Sequence, residues 1–372
     1  MADAPDSAGT TAGEAITCSI SDGFAEWMSG CGGSIVATTY QAGKVAVVGW
    51  DGRRVTLLMR QFDKPLGLAS SGGKMALATR HEIVLLADAP LLAHDYLERE
   101  PGRYDTLYLP RVAYFTGDVN AHDLAYGDDG LWVVNTRFSC LSRLSDEHSF
   151  VPRWKPPFVS EIAPEDRCHL NGLAMVDGKP KYVTVLGETN APGGWREKKA
   201  AGGALVDVGR NEVVVRGLSM PHSPRWHDGM LWLLNSGRGE LWRVNADDGG
   251  HEVVCALPGY LRGLGFVGPF ALVGLSQVRE RQIFGGLPVR ERFKSLACAI
   301  VIVDTRAGRE VGRLEFTSGA QELFEVQFLA GRRRVNILSA EKGAVREAFT
   351  APGFSYWLRP SAEVRDGGGD AR

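Results

Sequence analysis

Apolar residues along this chain fall in short runs cut by Gly, Asp, Asn and Pro, and helical periodicity is scarce. Runs such as "LWVVN" from Leu131, "LWLLN" from Leu231 and "FALVGL" from Phe270 predict short, largely buried β-strands joined by tight turns. The pattern also repeats. "NAHDLAYGDDGLWVVNTRFSCLSRL" starts at Asn120, "HLNGLAMVDGKPKYVTVLGE" at His169, "MPHSPRWHDGMLWLLNSGRGELWRV" at Met220 and "LRGLGFVGPFALVGLSQ" at Leu261. Weaker copies start at Pro65 and Glu322, and the segment from Ser34 is a candidate seventh. Each unit is a short strand, an Asp- or Gly-bearing turn and an apolar strand. Asn135 follows His122 at the same distance at which Asn235 follows His222.

Starts roughly 40–60 residues apart match the four-stranded blade of a propeller. The expected fold is therefore all-β, a single β-propeller of six or seven blades, with seven the preferred count. The expected organisation is a flexible segment over 1–30, the propeller over 31–359 and a disordered tail over 360–372, because both ends are rich in small and polar residues.

The first strand of a propeller blade lines the central channel. Aligning the units puts His122, Asn171, His222, Arg262 and Phe324 at equivalent channel positions. Side chains two apart share a face of a strand, so His169 and Glu322 join that set. Three of the eight histidines thus fall at or beside one register. Three neutral imidazoles with an open fourth position suit a divalent transition metal: zinc, iron or copper. His122, His169 and His222 are the expected ligands. Arg262, Glu322 and Asp123 are the expected catalytic or orienting groups, with Glu322 a possible fourth ligand or base. Arg225, Asn171 and Arg262 are expected to bind substrate, the arginines through an anionic group. The competing reading is a structural polar channel filled with water.

Composition narrows the field further. The formal net charge is −2, so neither nucleic acid nor a membrane surface is an expected partner. No apolar run is long enough to span a bilayer, and the start of the chain lacks the pattern of a secretory signal, so a cytoplasmic protein is expected. The six cysteines include no CxxC pair, which argues against a zinc knuckle. "GETNAPGGWREKKAAGG" from Gly187 reads as an exposed connection in preference to a lid, and "RERQIFGGLPVRERF" from Arg279 as an insertion that could cap the channel or touch a partner subunit.

"EDRCHLNGLA" (165–174), "GLSMPHSPRW" (217–226), "LWLLNSG" (231–237) and "PGYLRGL" (258–264) resemble signature stretches of a bacterial conserved-hypothetical family close to the DUF4915 group. "TTYQAGKV" (38–45), "RFSCLSRL" (137–144) and "ELFEV" (322–326) are similar too, so the resemblance runs from about Ser34 to Ser339. Family members carry Tyr where Phe324 stands, which removes any role for a hydroxyl there. By architectural analogy the residue types look most like the propeller amidating lyases, which hold zinc with three histidines beside an arginine. The four-histidine iron site of carotenoid oxygenases and the Glu/Asn calcium site of gluconolactonases match less well. The expected function is a metal-dependent lyase, hydrolase or oxygenase of specialised metabolism, acting on a small anionic or peptide-derived substrate. The alternatives are a non-catalytic module that binds a peptide or protein through exposed Trp195, Phe284 and Tyr260, and a metal-free cyclase or isomerase. The sequence carries no signal of oligomeric state.

Overall fold

A computed structural model describes residues 15–277 and 285–359. Six sheets, antiparallel except for the rim strand Val335–Ile337, stand around a common axis, and the first strand of each touches the first strands of its two neighbours, closing a ring. The fold is a six-bladed β-propeller. Blade 2 opens with Leu68–Ser71, blade 3 with Ala121–Gly127, blade 4 with Leu170–Val176, blade 5 with Pro221–His227 and blade 6 with Tyr260–Val267. Blade 1 takes its innermost strand, Val326–Ala330, from the far end of the chain, and its outer three, Gly33–Thr39, Lys44–Trp50 and Val55–Gln61, from near the start. Ala37 pairs with Val326 and Gly33 with Ala330.

That closure explains why the preferred count of seven is too high. The units from Ser34 and from Glu322 are not two blades; they are the outer and inner parts of one. The boundary at residue 31 also moves. Thr17–Ile20 adds a fifth strand to the rim of blade 6, and helix α1 (Asp22–Gly30) follows it. Ser21 caps α1 by accepting from the Phe24 N–H at 3.3 Å, and Phe24 and Met28 are fully buried. Residues 1–14 and the tail 360–372 lie outside the described residues, as does Phe284.

The strand chemistry follows from the packing. Middle strands are covered on both faces by neighbouring blades, so "FALVGLS" (Phe270–Ser276) and "AIVIVD" (Ala299–Asp304) are nearly continuous apolar runs. Outer strands alternate, as Arg309–Ser318 does in its second half. Asp177-Gly178 and Asp228-Gly229 sit with φ of 47°, 67°, 50° and 72° in two-residue loops, the backbone that a tight hairpin matched to the strand twist requires.

The inner ring is tight. A Cβ on Gly172 of blade 4 would lie 2.3 Å from Pro224 Cδ of blade 5, so only a hydrogen fits there. Gly172→Ala is expected to cost about 1–3 kcal/mol through overpacking, read as a lowered denaturant midpoint. An unchanged midpoint would mean the two strands are not in this contact.

Candidate functional site

The polar residues of the channel occupy two adjacent layers along the inner strands. In the deeper layer Arg225 of blade 5 lies across the axis. Its Nη1 donates to Asp123 Oδ2 of blade 3 at 2.7 Å, and its Nη2 to Glu325 Oε2, beside the inner strand of blade 1, at 2.9 Å. Nε donates to the Leu264 carbonyl at 3.2 Å, and Nη1 also to those of Leu173 and Pro224 at 3.1 and 2.9 Å. Five blades therefore meet on one guanidinium. Asp123 accepts in addition from Leu124 N and Leu173 N, at 2.9 and 3.0 Å, and Glu325 from Val326 N at 3.0 Å. The two carboxylates hold the guanidinium firmly protonated. Burial, and the second carboxylate of Asp123, push Glu325 up from the ordinary carboxylate range.

This layer corrects two expectations. Arg225 does not face a substrate, because its donors are spent on the ring, and Asp123 steadies Arg225 instead of a histidine. Asn171 is also engaged: its amide N–H donates to the Pro221 carbonyl at 3.0 Å and its Oδ1 accepts from Thr184 Oγ1 at 2.7 Å, stitching blade 4 to blade 5.

The outer layer holds the three histidines. Each inner strand of blades 3, 4 and 5 is entered through a left-handed residue: Asn120 at φ 52°, His169 at 50° and Met220 at 45°. Such a backbone costs of order 1 kcal/mol for a non-glycine residue. In blades 3 and 5 it turns a carbonyl onto the imidazole two residues on. His122 Nδ1 is 3.0 Å from Asn120 O, and His222 Nδ1 is 2.9 Å from Met220 O. A hydroxyl just past the end of the next strand completes each tie, Thr136 Oγ1 at 2.8 Å and Ser236 Oγ at 3.3 Å. Their own protons go to the Leu170 and Leu234 carbonyls. Both oxygens at each Nδ1 therefore accept, so Nδ1 carries the hydrogen and Nε2 the lone pair. His169 sits at the left-handed position itself, and its Nδ1 faces Asp166 at 2.9 and 3.0 Å.

The rings cluster. Centroids of His122 and His169 are 4.7 Å apart, and Phe324 is 5.1 Å from His122. Trp195 lies 4.5 Å from His169 and donates its indole N–H to Asp166 Oδ2 at 3.0 Å. Tyr260 lies edge-on to His222 at 5.6 Å, with its hydroxyl 3.4 Å from Nδ1. The Arg262 guanidinium rests 4.8 Å from the Phe324 ring and 5.6 Å from that of Tyr260, and its Nε has no hydrogen-bond partner among the described residues. Glu322 is buried near enough for its charge to act on the Tyr260 phenol. Burial drives His122 and His222 well below the ordinary histidine value, and the Arg262 cation adds to it. Burial likewise keeps the Tyr260 phenol protonated.

Trp195 is 3% exposed and Tyr260 1%, so neither can present a docking face, contrary to the binding-module expectation. With Leu186, Met220, Leu287 and Val289 they form a buried apolar cluster that brings the Gly187 loop and the insertion of blade 6 together beside the histidines. The loop is thus a wall of the site, not a plain exposed connection. Sequence reasoning missed Asp166 and Glu325, and it named Trp195 and Tyr260 only as exposed aromatics. The hydroxyls Thr136 and Ser236 were within reach of it, since each follows the repeated Asn by one residue.

Donor chemistry fits a metal: three imidazoles with Nδ1 tied leave three Nε2 atoms, and that of His222 is buried without a partner. Spacing does not close around an ion. Among the described residues no three His, Cys, Asp or Glu side chains stand as a metal-holding group.

The chain belongs to the family of a domain of unknown function, DUF4915, whose profile matches residues 22–338. No curated protein matches it. Among solved structures, a chain of the nidogen/laminin complex superposes with a TM-score of 0.51 at 8% identity, over 81% of this chain and 99% of that one. TolB from Acinetobacter baumannii gives 0.43 at 14%, over 80% and 66%. At 8% identity the likeness to the nidogen/laminin chain speaks to the fold alone. No helix among the described residues is long and apolar enough to cross a membrane.

Two outcomes follow. Arg225→Ala leaves Asp123 and Glu325 buried and unpaired, and is expected to cost about 3–5 kcal/mol in denaturant unfolding; a loss under about 1 kcal/mol would show that the ring does not depend on this cation. The second concerns pH. His122 and His222 titrate lower folded than unfolded, so the unfolded chain takes up protons first as pH falls below about 6.5. Their contribution is complete above that value and declines below it, by up to about 1.4 kcal/mol per pH unit for each ring. Glu325, shifted upward, acts in the opposite sense over the same range. The comparison of wild type with the His122→Gln/His222→Gln variant isolates the imidazoles: the variant's stability should fall less between about pH 7 and 5.5, and parallel profiles would contradict the assignment.

Proposed function

We propose that this DUF4915 propeller is a metal-dependent enzyme working on a small anionic or peptide-derived substrate at the mouth framed by His122, His169 and His222, by lyase, hydrolase or oxygenase chemistry. One observation carries the reading: His122 and His169 pack ring to ring from adjacent blades, His222 of the next blade lies near enough for its charge to act on His122, each Nδ1 is held by an oxygen, and the Nε2 of His222 is buried without a partner. That combination costs desolvation and gains nothing until something donates to, or accepts, that lone pair.

His122, His169 and His222 would hold the ion, zinc, iron or copper, through Nε2, and Asp166 and the two carbonyls would fix ring orientation and tautomer. A bound ion supplies a Lewis acid for a substrate oxygen or a water. The chain's own groups do the rest. Arg262, lying on two aromatic rings with an unpartnered Nε, receives the anionic part of the substrate. The Tyr260 phenol, kept protonated by burial, can donate a hydrogen bond to a developing negative charge. Glu322, buried near enough for its charge to act on the Tyr260 phenol, is the group we assign as base or fourth ligand. Trp195 and the apolar cluster around it keep water from the His169 side.

Because the imidazoles do not enclose an ion as they stand, loading must draw them inward, and the folded state then gains the binding energy. At a free metal concentration about a hundredfold above Kd the gain is about 2.7 kcal/mol. Purified protein is expected to hold about one equivalent of a transition metal per chain, and reloading after chelation to raise Tm by a few degrees, an effect lost in His222→Ala. Absence of metal in the purified protein, with no Tm response to zinc, iron or copper, would end this reading.

A metal-free acid–base site is the second reading, favoured by the absence of a closed metal-holding group among the described residues and by the neutrality of His122 and His222. It requires turnover that survives strong chelation.

A further inference from the structure

The inner strands also end at the other face of the ring, away from the histidines, and a cleft opens there. It has a volume of about 640 Å³ and runs between blades 2 and 3. Lys74 and Arg111 line its blade 2 side, Arg143 and Arg153 its blade 3 side, and Leu131 and Leu144 form part of its wall. Tyr126, at the end of the strand that begins beside His122, borders both this cleft and a second cavity of about 370 Å³ at the axis. Tyr126 is the one side chain that lines both spaces.

The charge of the cleft is one-sided. Arg143 pairs with Asp129, which itself lines the cleft. Lys74, Arg111 and Arg153 have no acidic partner within 4.0 Å among the described residues, in a chain of net charge −2 with 44 acidic residues. Arg111 is exposed, but the part of its guanidinium shielded by its neighbours lowers its pKa, and its hydrogen bond goes to a neutral hydroxyl, Thr350 Oγ1, at 2.8 Å. A desolvated cation with no counter-ion is stabilised by an incoming anion.

We propose that the cleft between blades 2 and 3 docks an acidic, extended polypeptide segment of a partner, its carboxylates on Lys74, Arg111 and Arg153 and its apolar side chains on Leu131, Leu144 and Tyr126. A nucleic acid fits less well. Three unpaired cations neutralise few phosphates, and the leucines lining the same cleft give a phosphate backbone nothing to contact. A peptide that alternates acidic and apolar side chains matches both. The inference is independent of the metal reading, since the two sites lie at opposite ends of the inner strands.

Fluorescence anisotropy of the full chain tests it with a labelled peptide of alternating Glu and Leu. Saturable binding is expected, weakened by salt, and weakened about tenfold or more by Arg111→Gln/Arg153→Gln, whose parent side chains are exposed. His222→Ala, at the other mouth, should leave the affinity unchanged. The proposal is overturned if the peptide with Gln in place of Glu binds equally, if the double variant binds as wild type does, or if single-stranded oligothymidylate or inorganic phosphate displaces the peptide more effectively than the unlabelled peptide itself.

Discussion

A single guanidinium on the axis sets the geometry of this ring. Strands of a propeller touch only the blades beside them, so nothing in the sheets couples blade 3 to blade 5 or blade 5 to blade 1. Arg225 does so, by reaching Asp123 and Glu325 while its remaining donors take carbonyls of blades 4, 5 and 6. Such a buried pair contributes little net stability compared with a well-packed apolar core, yet losing one partner is expensive. Its consequence is therefore positional: the radius of the inner ring is fixed where five blades satisfy one cation. In this layer the channel is polar and fully engaged, and no donor of Arg225 is left for a ligand.

One step along the strands the same ring holds groups that are not engaged. The chain enters blades 3, 4 and 5 through strained left-handed residues, and in two of them the strain turns a carbonyl onto a histidine. The ties occupy Nδ1 and leave Nε2. Burial and the nearby Arg262 keep His122 and His222 neutral, the protonation state that both a metal ligand and a proton acceptor require. The contrast between a satisfied layer and an unsatisfied one, a single residue apart, separates scaffold from site more clearly than residue type does. Arg225 and Arg262 are both arginines at the axis, and only the second has a donor to spare.

The repeat was legible in the sequence, and with it the propeller, the register of His122 and His222, and the offset of His169. Alternation along a strand and Asp-Gly turns are local signals, and local signals survive in one dimension. The blade count was not legible, because ring closure joins strands from the two ends of the folded part, and each end reads as a unit of its own. The roles of Arg225 and Asp123 were misjudged for a similar reason. Neither had been placed in the channel register, and Arg225 reaches its carboxylates, Asp123 and Glu325, only across blades far apart in the chain. Trp195 and Tyr260 looked like surface aromatics because a loop and an insertion that bury them come from different blades. The tie from Thr136 and Ser236 stood in the repeat unnoticed beside the more conspicuous Asn.

The central claim is that three imidazoles, each oriented through Nδ1, serve one ion through Nε2. X-ray absorption spectroscopy on the zinc-loaded protein measures this directly. The account predicts three nitrogen ligands at roughly 2.0–2.1 Å with the scattering pattern of imidazole rings, falling to two in His222→Ala. A zinc shell made only of oxygen or sulfur, or one identical in wild type and His222→Ala, would contradict it.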